Sequence, residues 1–168
     1  MCKTTCLYML VLAAVTGMAG LSAHAAPVAA HAQVDVMPVV QISHDLRVTS
    51  LTTGHGYETG TALALGVVSS TVPFTSLNLK WDRSINPQAS GDAREAYAVN
   101  PSTGRKIPVS FEVMLHDRMV DAGNDSVNVI FDDGSQLSSY SYSVILTHGE
   151  TLFAGTYPVG VLADVTVA

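Results

Sequence analysis

The chain has 168 residues, of which 48% are hydrophobic and 13% charged, and its formal net charge is −6 at pH 7. The acidic residues are scattered, and the lysines and arginines form no cluster that could neutralise a phosphate backbone. Nucleic acid is therefore disfavoured as a partner. Cysteine occurs only at Cys2 and Cys6, so the rest of the chain has neither a disulfide nor a thiolate metal site.

The N-terminal segment has the layout of a secretory signal peptide. Lys3 is followed by an almost wholly apolar run over residues 7–21, which is too short for a comfortable membrane span. The small residues that signal peptidase requires place cleavage after Ala25, and a second Ala-x-Ala ending at Ala32 is the alternative. The predicted domains are a signal peptide over 1–25, an N-terminal extension over 26–43 and a β domain over 44–168.

The extension is predicted to be a donor strand, that is, a strand that pairs with another molecule. One face of an extended ribbon would carry Val34, Val36, Pro38, Val40 and Ile42. Pro38 cannot donate a ladder hydrogen bond, which confines it to the edge or end of a strand. Residues 26–32 lack turn chemistry that would fold the ribbon back as a hairpin, so the strand has no adjacent partner in its own chain.

The remaining sequence shows strand periodicity and almost no helical pattern. Strands are predicted over Leu46–Leu51, Thr61–Ser69, Leu77–Trp81, Tyr97–Val99, Ile107–Leu115, Val127–Phe131, Tyr140–Leu146 and Thr156–Ala168. Between them, residues 82–92 read as an irregular excursion and 119–125 as a polar turn. About eight short strands with turns between them predict an all-β fold, an antiparallel β-sandwich of immunoglobulin-like build.

No motif of metal or catalytic chemistry stands out, so no enzymatic activity, cofactor or metal is predicted. No two of the histidines beyond residue 43 have the i, i+2 or i, i+4 spacing of metal ligands; these are His44, His55, His116 and His148. The chain has no Gly-x-Ser-x-Gly nucleophile elbow and no phosphate-binding loop. The sequence Asp132-Asp133-Gly134-Ser135 favours a hairpin turn over a cation site.

The aromatic residues leave one binding role open. Trp81 is predicted at a strand end with one apolar face, and an exposed sugar-stacking surface is the alternative. Tyr140 and Tyr142 have the same ambiguity, with half-buried strand positions favoured.

Several segments in order along the chain resemble one family. They are Gln33–Val36, His44–Val48, Glu95–Val99, Ser102–Ile107 and Gly155–Val159. Together they resemble Saf-type pilins, which are fimbrial subunits of the bacterial chaperone–usher pathway. The resemblance implies an immunoglobulin-like sandwich that lacks its final strand and has an acceptor groove between its first and last strands. The implied groove residues are Leu46, Val48, Tyr157, Val159, Val161 and Val165.

The resemblance also implies a route of assembly. A periplasmic chaperone would lend a strand to the groove, and its basic residues would hold the carboxylate of Ala168. At an outer-membrane usher, the extension of a neighbouring subunit would replace that strand, giving a fimbrium on the cell surface. Two alternatives stay open: an adhesin subunit of the same pathway that binds a host receptor, and a self-complete secreted β-sandwich module in which residues 33–42 pair within their own chain.

Overall fold

The structure, a computed structural model, describes residues 39–167, and these form an all-β fold. Its strands are β1 (Ile42–Val48), β2 (Gly56–Tyr57), β3 (Ala62–Trp81), β4 (Glu95–Val99), β5 (Lys106–Glu112), β6 (Arg118–Gly123), β7 (Ser126–Ile130), β8 (Leu137–Leu146), β9 (Glu150–Thr151) and β10 (Val161–Val167). A single 3-10 turn, Asp132–Gly134, precedes β8. The predicted signal peptide, the donor-strand residues Val34, Val36 and Pro38, and Ala168 lie outside the described residues.

The twenty-residue strand β3 belongs to both layers of the fold. Its first half pairs with β1 and β8, and its second half pairs with β10 and β7, all antiparallel. Trp81 at its far end stacks on Phe111 of β5, with ring centroids 4.1 Å apart. Because β5 is joined through β8 to the first half of β3, the second half must fold back over the first. The result is a curled antiparallel sheet with faces β1-β3-β8-β5-β4 and β10-β3-β7-β6.

The fold-back occurs around residues 70–73. The register of β3 with β8 shifts between Ser69 and Phe74, and Pro73 cannot contribute an N–H to a ladder. The buried face changes parity slightly further along, from Ala64, Val68 and Phe74 to Leu77 and its alternate neighbours, where the register with β10 also shifts. A change of parity is what an inserted residue produces in a strand, and it lets both halves of β3 face one core.

The sequence predictions differ from the structure in three strand assignments. The strands predicted over Thr61–Ser69 and Leu77–Trp81 are one strand, because the β-branched residues Thr71, Val72 and Thr75 carry the extended chain past Pro73. The polar turn predicted over 119–125 is largely the edge strand β6, where one face and one edge meet water. β5 ends at Glu112, three residues short of its predicted end at Leu115, which is 93% exposed.

The boundaries of the first and last strands also move. β1 spans Ile42–Val48 and pairs Ile42 with Ser70, so this predicted donor-strand residue lies in the first strand of the domain itself. Val40 precedes β1 and is exposed. β10 begins at Val161, and the five residues from Thr156 that were predicted to open the last strand are not part of it.

An aromatic cluster fills the core. Trp81 is fully buried, and its indole N–H donates to the backbone oxygen of Arg94 at 3.0 Å. Tyr140 and Tyr142 are also buried, and the hydroxyl of Tyr140 donates to Asp117 at 2.6 Å. The proposed sugar-stacking surface at Trp81 is therefore wrong, and so is half-burial of the two tyrosines, because all three rings form the core.

The excursion over 82–92 covers the free edge of β4. Gln88 bridges to Ala96, and the N–H of Tyr97 donates to the backbone oxygen of Pro87 at 2.8 Å. Backbone groups that an edge strand would otherwise expose are thereby paired. The excursion thus closes this edge of the sheet.

Candidate acceptor groove

The inner face of β10 is incompletely covered. Its inward side chains, Val161, Ala163, Val165 and Val167, contact the core but are only half-buried. In contrast, Leu77 and Leu79 of β3 and Val129 of β7 are completely buried. The core is therefore closed beneath β3 and β7 and remains open along β10.

The inner face of β1 shows the same partial burial. His44 and Leu46 point inward and are half-buried, and Val48 at the end of the strand is 78% exposed. Tyr157 and Val159, which lead into β10, are half-buried as well. The residues predicted for the acceptor groove thus lie along β1 and along the stretch that includes β10, with Val48 the most exposed.

The two strands open on the same side of the sheet. At Phe74, β3 pairs with β8 through one edge and with β10 through the other, and β1 also lies on the edge opposite β8. Within residues 39–167, β1 and β10 pair only with β3, so each presents an outer row of backbone N–H and C=O groups without a ladder partner. Two half-buried apolar rows beside two open edges form a gap that suits an added strand.

A cavity of about 390 Å³ lies at one end of this gap. Its lining includes the predicted groove residues Val48, Tyr157 and Val159, together with Leu63 and Ile107. Most of its surface is apolar, so its chemistry suits an aliphatic side chain better than a charged ligand.

Asn86, in the excursion, positions the stretch that leads into β10. Its side chain is fully buried, and its amide nitrogen donates to the backbone oxygens of Tyr97 at 3.1 Å and Pro158 at 3.0 Å. Its amide oxygen accepts a hydrogen bond from the N–H of Gly160 at 2.7 Å. One side chain therefore joins β4 to this wall of the groove.

His44 and Tyr142 connect β1 to the core. The Nε2 atom of His44 lies 2.7 Å from the hydroxyl of Tyr142, whose ring crosses directly over Gly66. Sequence analysis missed the roles of His44, Asn86 and Gly66. The one local signal was a glycine inside an apolar strand, which often marks a close approach by another group.

Burial of His44 gives the domain a predicted pH dependence. Burial lowers the pKa of His44 from its ordinary value of 6.5, and Asp45 opposes part of the shift. The unfolded chain therefore takes up a proton first, so this contribution to stability is present above about pH 6.5 and is lost as the pH falls below it. We expect the Tm of a chain that starts at Val39 and carries residues 33–42 after Ala168 through a short linker to fall between about pH 7.5 and 5.5, and the fall to be smaller in His44→Gln.

Differential scanning calorimetry across this range tests the expectation. Glutamine keeps a donor for the Tyr142 hydroxyl but does not titrate. The hydrogen bond from Arg94 lowers the pKa of Asp92, so Asp92 takes up its proton only at a pH below the range of this measurement. His148→Gln, at an exposed histidine, is the control that should leave the slope unchanged. An equal slope in His44→Gln would contradict the assignment.

Over the described range, no cluster of three or more His, Cys, Asp or Glu side chains is arranged to hold a metal ion. In the same residues, no helix is long and apolar enough to cross a membrane.

Solved structures share this fold, although no family model and no curated protein matches the sequence. The Salmonella SafD adhesin superposes with a TM-score of 0.63 at 16% identity, over 76% of this chain and 85% of that one. HdaB, the minor tip subunit of the E. coli Hda pilus, gives 0.62 at 11% identity, over 76% and 84%. AggB, the minor subunit of the E. coli aggregative adherence fimbriae type I, gives 0.58 at 10% identity, over 75% and 86%. The immunoglobulin-like fold implied by the resemblance to Saf-type pilins is therefore confirmed: the described domain has the fold of fimbrial subunits.

Proposed function

We propose that this protein is a structural fimbrial subunit that polymerises by donor-strand exchange. The N-terminal extension of one copy would fill the gap between β1 and β10 of the next. The observation that carries the proposal is the half-buried inner face of β10, which lies beside an open edge at which the core lacks cover. The fold shared with fimbrial subunits supports the same assignment.

The apolar side chains that alternate along the extension suit the apolar gap between β1 and β10. Ile42 is retained by its own domain in β1, so the donated side chains would be Val34, Val36, Pro38 and Val40. Burying the three valines contributes roughly 5–9 kcal/mol before ladder bonds and ordering costs. The donated strand would also complete the core of the recipient, so part of its binding free energy would stabilise the fold.

The same groove defines the other proposed partners. Before exchange, a periplasmic chaperone would occupy it and hold the carboxylate of Ala168, and exchange would take place at an outer-membrane usher. Export through the periplasm to the cell surface follows from the signal peptide predicted over 1–25. No enzymatic activity is part of the proposal, and the three solved structures named above are an adhesin and two minor fimbrial subunits.

A second candidate is an adhesin subunit of such a fimbrium that binds a host receptor. The observation that favours it is that the solved neighbours include an adhesin and a minor tip subunit. The apolar extension favours a shaft subunit, because a subunit at the tip has no neighbour to which it donates a strand.

The substitution Val36→Asp tests the proposal. It places a charge on the apolar face of the extension, and desolvation of that charge in the groove is expected to abolish polymerisation. The complex with a co-expressed chaperone should remain, because the chaperone binds the groove of the same subunit and not its extension. The measurement is the ladder of oligomers on an unheated gel, together with recovery of the chaperone complex.

Asp35→Asn, on the opposite face of the ribbon, is the matched control and should keep the ladder. A ladder that survives Val36→Asp would contradict donor-strand exchange. The whole mature chain, made without a chaperone, separates the remaining alternative, in which residues 33–42 pair within their own chain. If it were soluble, monomeric and cooperatively melting, the groove would need no outside strand and the protein would be a self-complete module.

A further inference from the structure

The N-terminal extension leaves the domain beside Thr71, at the fold-back of β3. The N–H of Thr71 donates to the backbone oxygen of Gln41 at 3.1 Å, and the N–H of Gln41 donates to Thr71 Oγ1 at 3.0 Å. The Thr71 hydroxyl donates in turn to the backbone oxygen of Val39 at 3.4 Å. One residue thus contacts the backbone on both sides of Val40.

Side-chain packing does not hold this stretch. The side chain of Val39 is 80% exposed and that of Val40 is 38% exposed. The backbone contacts to Thr71 are therefore the restraint on residues 39–41, and two of the three use its hydroxyl.

Beyond Thr71, the edge of β3 offers the extension no further N–H donor. The N–H of Val72 donates to Ser70 Oγ at 3.2 Å, and Pro73 has no N–H. At Phe74 the edge is occupied again, by Val167 of β10. The backbone ladder between the extension and β3 therefore ends at Gln41, and Val39 is reached only by the hydroxyl of Thr71.

We infer that Thr71 fixes the boundary between the chain that a subunit keeps and the chain that it donates, and with it the joint between consecutive subunits. The inference rests on the proposed function. Since Thr71 holds the backbone on both sides of Val40, and the side chain of Val40 belongs to the donated face, almost no free chain separates the two subunits. The joint is short, and its direction is set by the hydrogen bonds to Thr71.

Thr71→Val tests the inference, because valine keeps the shape of threonine and removes only the hydroxyl. The Gln41 amide loses its acceptor, and its hydrogen exchange in the assembled fibre should become about tenfold faster. The distribution of angles between neighbouring subunits in electron micrographs should widen. The oligomer ladder should be unchanged, since neither the donated face nor the groove is altered.

Thr75→Val is the matched control on the same strand. Its hydroxyl donates to the backbone oxygen of Thr166 in β10 at 3.2 Å and does not contact residues 39–41. It should leave the exchange of the Gln41 amide and the angle distribution unchanged. Thr71→Ser, which keeps the hydroxyl, should behave like the unmodified protein.

The outcomes separate the inference from the proposed function. Thr71→Val fibres with unchanged Gln41 exchange and unchanged angles would overturn the inference and leave donor-strand exchange standing. Absence of a ladder in the unmodified protein would overturn the proposed function, and the joint with it. Should Thr71→Val lower the yield, Thr71→Ala removes the same hydroxyl and is scored by the same two measurements.

Discussion

Replacing Asn86 with alanine is expected to destabilise the domain by about 4 kcal/mol, because the substitution leaves three backbone groups without a partner. The orphaned groups are the backbone oxygens of Tyr97 and Pro158 and the N–H of Gly160. An unsatisfied buried polar group costs roughly 1–3 kcal/mol, and the stretch around Pro158 is partly open to water, which keeps the sum below its maximum. The measurement is the urea midpoint of a chain that starts at Val39 and carries residues 33–42 after Ala168 through a short linker, so that each copy fills its own gap.

Asn86→Asp refines this test. The acid keeps an oxygen that accepts from Gly160 but replaces the donor that Tyr97 and Pro158 require with a second oxygen. At neutral pH it should therefore be at least as destabilising as alanine. Asn128→Ala, at a partly exposed amide that accepts from Asn78, is the control and should cost less than about 1 kcal/mol. Similar midpoints for Asn86→Ala and Asn128→Ala would show that Asn86 does not hold the groove wall.

Gly66→Ala is expected to cost about 3 kcal/mol, the upper end for overpacking a core. A Cβ atom at this position would overlap the ring of Tyr142, which is the cross-strand partner of Gly66. The ring has little freedom to move away, because its hydroxyl lies 2.7 Å from His44 and the ring itself makes a T-shaped contact with the ring of Phe111. Thermal and urea unfolding of the same self-complemented chain measure the loss.

The matched control is Gly56→Ala in β2, where an added Cβ meets open space. It should change the free energy of unfolding by less than about 0.5 kcal/mol. A second comparison introduces Gly66→Ala into Tyr142→Leu, where the smaller side chain should remove most of the extra cost. Additive costs in the double variant would show that the ring is not the cause.

The fold class was predictable from the sequence because inward side chains alternate with polar ones in its central strands. Val127 and Val129 of β7 and Val109 and Phe111 of β5 are buried as that alternation predicts. The continuity of β3 was not predictable in this way, since its middle residues Ser70 and Thr71 look like a connection. Only the pairing of the two halves of β3 with four other strands identifies Ser70 and Thr71 as part of one strand.

The details of the groove were less predictable for a physical reason. Hydrophobic alternation places Val161 and Val165 on one face, but it does not distinguish full burial from partial burial. The role of Asn86 depends on backbone groups 72 and 74 positions further along the chain, which no local pattern contains. The resemblance to pilins implies a groove between the first and last strands, and the structure adds the side chains that hold those two strands in place.

The seven-residue pairing of β1 with β3 has a mechanical consequence for a fibre assembled in the proposed way. Tension on the fibre would reach each domain through residues 39–41 and would pull β1 along its own axis. The ladder bonds between β1 and β3 run across that axis, so the load would be shared among them in shear. A pull at right angles would instead break them one at a time. A short joint that feeds straight into such a strand would transmit force between subunits without first unravelling the domain.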